Sequence, residues 1–285
     1  MRHFDYSQLE SRTWDNDILS YIAQIHEYKG KQSASLSRKP VELDRLIEIA
    51  KNQSTEASNR IEGIVTTSPR MKQLLADKTA PRNRDEEEIL GYRNVLNLIH
   101  ESHDAIPVKP TYILQLHRDL LKFTPLSYGG TFKTTANEID AMMPDGTKQI
   151  LFKPVEPYET AESINELCET FDTAIKKQIV DPLILIPCFI LDFLCIHPFN
   201  DGNGRMSRLL TTLLLYRSGF YVGKYVSLEA KIAKNKDLYY EALAAAQIGW
   251  HEGTEDVVPP IVISSQVDFA FISLHFMLLC LLTIL

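Results

Sequence analysis

Apolar residues recur at helical spacing along most of the chain. Val41–Ala50 carries Leu43, Leu46, Ile47 and Ala50, a period near 3.6 that predicts an amphipathic helix. Glu86–His100 repeats the pattern with Ile89, Leu90, Val95, Leu96 and Ile99. Pro110 and Thr111 open a further predicted helix through Ile113–Leu121, and Thr160–Lys177 places Ile164, Leu167, Cys168, Phe171 and Ile175 on one side. Asp181-Pro182 reads as an N-cap followed by proline in the first turn. The run after it, Leu183–Ile196, is apolar nearly all round and predicts a central buried helix. One segment breaks the rhythm. Gly129–Ile139 is β-branched and glycine-led, Pro144-Asp-Gly-Thr147 is a turn signal, and Ile150-Leu-Phe152 reads as a short strand. The pattern predicts an all-α fold interrupted by one small β-hairpin.

The chemistry concentrates where the buried helix stops. The stretch is His197-Pro-Phe-Asn-Asp-Gly-Asn-Gly-Arg-Met-Ser-Arg208. Pro198 disfavours helical geometry in the residue before it, so the helix must end at Ile196–His197. A new helix is predicted from about Arg205 to Ser218, with Gly219 as its stop. Between them, Asp201-Gly-Asn-Gly204 lets backbone N–H groups converge on an anion, and the next helix adds its positive dipole end. Arg205 and Arg208, three residues apart, project from one face of the first turn. Such a set suits a polyphosphate. Asp201 adds a hard oxygen ligand for Mg²⁺, and His197 adds a base that titrates near neutrality. Zinc is disfavoured because no second His or Cys lies at metal spacing, and Lys133-Thr134 is not a P-loop because Phe132 precedes it.

Composition narrows the class. Of 285 residues, 45% are hydrophobic and 24% charged, the balance of a soluble globular protein. A net charge of −7 argues against a surface that coats nucleic acid, so no nucleic-acid partner is expected from the residues present. Cys168, Cys188, Cys195 and Cys280 form no C-x-x-C pair and read as free core thiols, which fits a cytoplasmic protein. The N-terminus, Met1-Arg-His-Phe-Asp-Tyr6, lacks the apolar run of a signal peptide. The C-terminus differs: from Ile261 to Leu285 the only charge is Asp268. A buried terminal helix, a tail anchor and a truncated or frame-shifted end all fit this tail, and a packed terminal segment is the expectation.

His197–Arg208 matches the Fic signature H-P-F-x-[DE]-G-N-G-R-x-x-R at every fixed position, so the chain resembles the Fic family from about Val41 to about Pro259. The resemblance implies a Fic-type helical core with a β-hairpin flap, and transfer of AMP from ATP to a hydroxyl of a target protein. His197 would then be the general base for a Ser, Thr or Tyr hydroxyl. Asp201 would hold Mg²⁺ (or Mn²⁺) between the α- and β-phosphates. Gly202, Asn203 and Gly204 would form the α-phosphate anion hole, Arg205 would meet the β-phosphate, and Arg208 would clamp the γ-phosphate. Phe199 would plug the core. Transfer of another phosphate-containing group, removal of AMP, and a non-catalytic Fic-fold binding module are the alternatives.

Three further segments carry the resemblance outward. The hairpin Gly130–Phe152 is similar to the family's flap, on which a target docks by strand addition. Tyr239-Tyr240 and Gln247 resemble the helix beside the adenine. Ser58-Asn-Arg-Ile-Glu62-Gly63 resembles the inhibitory motif [ST]-x-x-x-E-[GN], with Ser58 and Glu62 on one helical face. The implied layout is an N-terminal helical region over 1–100 with an inhibitory helix at about 54–64, a catalytic core over 101–259 with a flap at 130–152, and the apolar tail 260–285. The target protein and the oligomeric state, homo-oligomer included, stay open.

Overall fold

The computed structural model describes residues 2–35, 40–142 and 147–258. The apolar tail from 259, including Cys280, and the flap tip at 143–146 lie outside the described residues. Among the described residues the order is α1 (Asn16–Ser35), α2 (Pro40–Ile61), α3 (Ser68–Leu75), α4 (Arg84–Ser102), α5 (Pro110–Leu120), β1 (Ile139–Met142), β2 (Lys148–Phe152), α6 (Pro157–Lys177), α7 (Pro182–Ile196), α8 (Asn203–Arg217), α9 (Leu228–Lys234) and α10 (Lys236–Gln247). No helix among them is long and apolar enough to cross a membrane. The helical architecture with a two-stranded antiparallel sheet is the one expected.

α7 is the axis. Its residues from Leu183 to Ile196 are all buried, as a run that is apolar but for Asp192 requires. Asp181 caps it, accepting from the Leu183 N–H at 2.9 Å. α6 packs on one side and α8 on another. One buried cluster extends from Phe4 to Val257 and joins residues on both sides of position 100. Within it Asp192 of α7 ties the two ends together. It accepts from the Tyr6 hydroxyl and the Trp250 indole N–H, each at 2.7 Å. Burial raises its pKa to about 6, against the pull of Arg2.

Three boundaries differ from those the sequence predicts. The helix expected over Val41–Ala50 continues unbroken to Ile61, so the segment at 54–64 is the end of α2 rather than a separate helix. Beyond Ala50 the buried side chains are Ser54, Thr55, Ser58 and Asn59 as well as Ala57 and Ile61, and a polar buried face leaves no apolar period to read. α8 begins at Asn203, two residues before the expected start. The flap strands pair Ile139 with Phe152 and Asp140 with Ile150, so the hairpin starts at 139 rather than 130. In residues 130–138 no strand forms, and Lys133 and Asn137 spend their hydrogen bonds on the loop after α7.

Candidate active site

The segment from His197 to Asp201 leaves α7 and enters α8 through a loop closed by its own side chains. Asn203 Oδ1 accepts from the Phe199 N–H at 3.0 Å, and its Nδ2 donates to the Phe199 carbonyl at 2.8 Å. Its side chain therefore shapes the loop, and only its backbone N–H remains for an anion. Phe199 is fully buried and stacks on His117, with centroids 3.7 Å apart and planes 11° from parallel. Gly202 sits at φ +84, the left-handed conformation that a glycine adopts without a steric penalty. Met206 N–H donates to the Gly202 carbonyl at 2.8 Å, the first helical bond of α8. The N–H groups of Asn203, Gly204 and Arg205 precede it and have no intrahelical acceptor.

His197 caps α7 in the left-handed region, at φ 51 and ψ 60. Its Nδ1–H donates to the Leu194 carbonyl at 3.2 Å, which leaves the Nε2 lone pair free. Burial pushes its pKa down to about 4, and the Lys133 ammonium pushes the same way. The Leu194 carbonyl and the Glu62 carboxylate oppose that shift. The imidazole is neutral at pH 7 and can accept a proton.

Arg208 is buried and fully engaged by the end of α2. Its Nε donates to Ser58 Oγ at 2.8 Å, and its Nη2 donates to the Ser58 carbonyl at 3.0 Å and to Glu62 Oε1 at 2.7 Å. Glu62 follows the last residue of α2 and lies over the first turn of α8. A Cβ built on Gly204 would stand 2.3 Å from Glu62 Oε1. The carboxylate thus occupies space beside the free N–H groups of α8, where an anion would sit.

Arg205 is held lower down. Its Nη1 lies 2.6 Å from Glu88 Oε2 of α4 and its Nη2 is 3.4 Å from Asp201 Oδ1. The Glu88 contact is an ion pair between two buried side chains, which fixes the guanidinium under the first turn of α8. Asp201 is half-buried, with Oδ2 accepting from Arg84 Nη2 at 2.9 Å. Among the described residues no three His, Cys, Asp or Glu side chains gather around a common point. A single hard carboxylate suits Mg²⁺ only where phosphate oxygens and water supply the other ligands, which is how that ion is commonly bound.

Tyr239 and Tyr240 of α10 reach the same corner. Tyr239 lies close to Ser207, Arg208 and Glu62. Tyr240 lies close to Arg208, and its ring stands edge-on to that of Tyr239. Gln247 lies two turns further along α10, roughly 10 Å from Tyr240, with its side chain close to the Cys195 thiol.

Five polar residues at the site carried no sequence signal: Arg84, Glu88, His117, Lys133 and Asn137. His117 is fully buried; it accepts from the Gly130 N–H at Nδ1 and donates from Nε2 to the Asp201 carbonyl at 3.0 Å. Burial lowers its pKa to about 4. Lys133 and Asn137 bond the carbonyls at the end of α7. All five come from other elements, with no motif spacing to the loop.

Residues 107–215 match the Fic/DOC family. The chain is 28% identical over 142 residues to protein adenylyltransferase fic-1 of Caenorhabditis elegans, covering 48% of this chain and 25% of that protein. It is 28% identical over 226 residues to protein adenylyltransferase Fic of Drosophila erecta, covering 77% and 40%. The chain therefore spans between a quarter and two-fifths of the length of these curated relatives. A Fic family protein from Desulfovibrio desulfuricans G20 superposes with a TM-score of 0.75 at 20% identity, covering 93% of this chain and 76% of that one. A Fic domain containing signaling protein from Bacteroides thetaiotaomicron gives 0.74 at 23%, covering 88% and 94%. At these identities the superpositions carry the fold.

Proposed function

We propose that this chain, a Fic family protein by its match over residues 107–215, transfers AMP from ATP to a Ser, Thr or Tyr hydroxyl of a protein target. The observation that carries the proposal is the juxtaposition at the start of α8. A neutral imidazole with a free Nε2 ends α7, and the N–H groups that open α8 lie with the Arg208 guanidinium beside the point the Glu62 carboxylate occupies. The N–H groups of Asn203, Gly204 and Arg205 would take the α-phosphate and stabilise the charge that develops in displacement. Arg205 would meet the β-phosphate, and Arg208 would take the γ-phosphate. His197 would accept the proton of the attacking hydroxyl at Nε2. Asp201 would anchor Mg²⁺ or Mn²⁺, which when bound neutralises phosphate charge. Tyr239 and Tyr240 stand where an adenosine would pass. The flap exposes Ile150 and Leu151 beside the free edges of a two-stranded sheet, a surface suited to strand addition by a target. Glu62, bound to Arg208, would hold the site shut.

Incubation with labelled ATP followed by mass spectrometry of modified side chains tests the proposal. Addition of AMP to a protein hydroxyl is expected from wild type or from Glu62→Gly. His197→Ala should lower that transfer by ~10²–10⁴-fold while ATP still binds, because the phosphate contacts come from α8. Unchanged transfer by His197→Ala would refute the role of the imidazole.

A further inference from the structure

The end of α7 is the place where the structure spends polar groups that the proposed chemistry does not use. Four consecutive carbonyls, Ile196 to Phe199, all accept hydrogen bonds from two residues of the flap stem. Lys133 Nζ donates to Ile196 O at 3.0 Å, and the Lys133 backbone N–H donates to Pro198 O at 2.8 Å. Asn137 Nδ2 donates to both His197 O, at 3.2 Å, and Phe199 O, at 3.1 Å. The two side chains are joined, since Lys133 Nζ also donates to Asn137 Oδ1 at 2.8 Å. The carbonyls at a helix C-terminus have lost their helical donors, so some partner is required. A turn or ordered water would suffice for that purpose.

The choice of partners goes beyond satisfaction. Lys133 is 2% exposed, and its ammonium donates to two neutral oxygens. Burying a cation this way is costly, and burial lowers its pKa to about 8 although Glu156 opposes the shift. The ammonium lies at the negative end of the α7 dipole, which recovers part of that cost. Asn137 lies two residues before β1, so the flap strand and the clamp on the His197 peptide are one continuous piece of chain. That peptide belongs to a non-glycine residue in the left-handed region, which persists only where its surroundings hold it.

We propose that Lys133 and Asn137 are positioning residues that fix the His197 peptide from the flap stem, so that a target strand docked on the flap also sets the aim of the imidazole. This rests on the reading of His197 as the base and of the hairpin as the docking edge. Both side chains are spent on the carbonyls of the loop and on each other. Their contribution is orientation, and a small misplacement of a catalytic group is costly in rate without being costly in ligand binding. Three groups bear on the His197 ring: the Leu194 carbonyl from α7, the Lys133 ammonium from the stem and the Glu62 carboxylate from the end of α2.

Asn137→Asp is the informative change. It keeps the shape and the acceptor for Lys133, but it removes both N–H donors to the loop. In a Glu62→Gly background, AMP transfer to the protein itself should fall in kcat by roughly 10–100-fold. The KM for ATP and the ATP affinity measured by calorimetry should stay within about twofold. Asn137→Ser serves as the second variant, with the same split expected and with folding checked by circular dichroism. An independent readout is the ring titration of His197 by NMR on ¹³C-histidine-labelled protein. Lys133→Met should raise its midpoint, because the nearby cation is removed, and Lys133→Arg should keep it low. An unchanged kcat in both Asn137 variants, a loss confined to ATP binding, or an unmoved His197 titration in Lys133→Met would each overturn the proposal. If the Glu62→Gly protein transfers no AMP at all, the functional reading fails, and the titration still decides the positioning role.

Discussion

Replacing Glu62 tests the ion pair that joins α2 to α8 at the site. The carboxylate lies 2.7 Å from Arg208 Nη2. At an effective dielectric of ~20 that contact has a gross Coulomb term of about 6 kcal/mol. Arg208 is 3% exposed and Glu62 32%, so one partner has given up nearly all its water and the other a good part. Desolvation and side-chain ordering remove most of the gross value, leaving a net bias of about 1–3 kcal/mol. The γ-phosphate and the carboxylate would compete for one guanidinium, so this bias should appear as a ~5–150-fold weaker ATP affinity in wild type. Glu62→Gly removes both the charge and the atoms that lie over Gly204. Glu62→Gln keeps a hydrogen-bonding group over Gly204 but removes the charge. The expected order of ATP affinity and of transfer to the protein itself is Gly above Gln above wild type. Folding should change little, because Glu62 follows the last residue of α2 and Arg208 keeps both bonds to Ser58. Calorimetric titration with ATP and Mg²⁺, read alongside intact mass, measures both quantities. Equal affinity and equal transfer in wild type and Glu62→Gly would refute the reasoning and leave Glu62 as an ordinary helix-end residue. Gln behaving as Gly would assign the whole effect to charge, and Gln behaving as wild type would assign it to occupancy.

Two further outcomes follow from the same geometry. Asp201→Ala should raise the divalent-metal concentration needed for transfer several-fold, measured as the midpoint of a Mg²⁺ titration; full activity in EDTA would contradict it. Acid should destabilise the fold through its buried histidines. His117, with a pKa lowered from 6.5 to about 4, stays neutral in the fold while the unfolded chain takes up a proton below pH 6.5. Its contribution is therefore complete above pH 6.5 and is lost as pH falls toward 4, a span worth roughly 3 kcal/mol. His117→Gln should flatten the dependence of the denaturant midpoint on pH over that window, and an unaltered slope would show that His117 is not its source.

What the sequence made legible depended on contiguity. Residues 197–208 are consecutive, and the geometry of a helix end, two glycines and a helix start brings them together in any fold that honours those signals. Glu62 was readable because its motif is also local. Lys133, Asn137 and His117 were not, since each reaches the loop only after α5, the flap stem and α7 have packed. Arg84 and Glu88 sit at i and i+4 on α4, and in sequence they look like one more exposed helical pair. Glu88 is in fact buried against Arg205. The length of α2 was hidden for a related reason. Where a helix turns toward a polar site its inner face is Ser54, Thr55, Ser58 and Asn59, and periodicity arguments look for Leu and Ile.

If Glu62 closes the site as proposed, the way α2 ends would give it a built-in tendency to open. Glu62 follows Ile61, and Gly63 turns away at φ +79, so a negative side chain stands at the negative pole of its own helix. Such a placement is unfavourable by about 0.3–1 kcal/mol. It is tolerated because the side chain reaches across to Arg208 and to the positive pole of α8. A phosphate arriving at α8 would take both of those attractions at once. Only the repulsion from α2 would then remain, so the carboxylate would be expelled toward solvent by the helix that carries it. Under the proposed reading, a helix-end latch of this design would need no separate release signal, since the ligand it would exclude would also be the charge that disengages it.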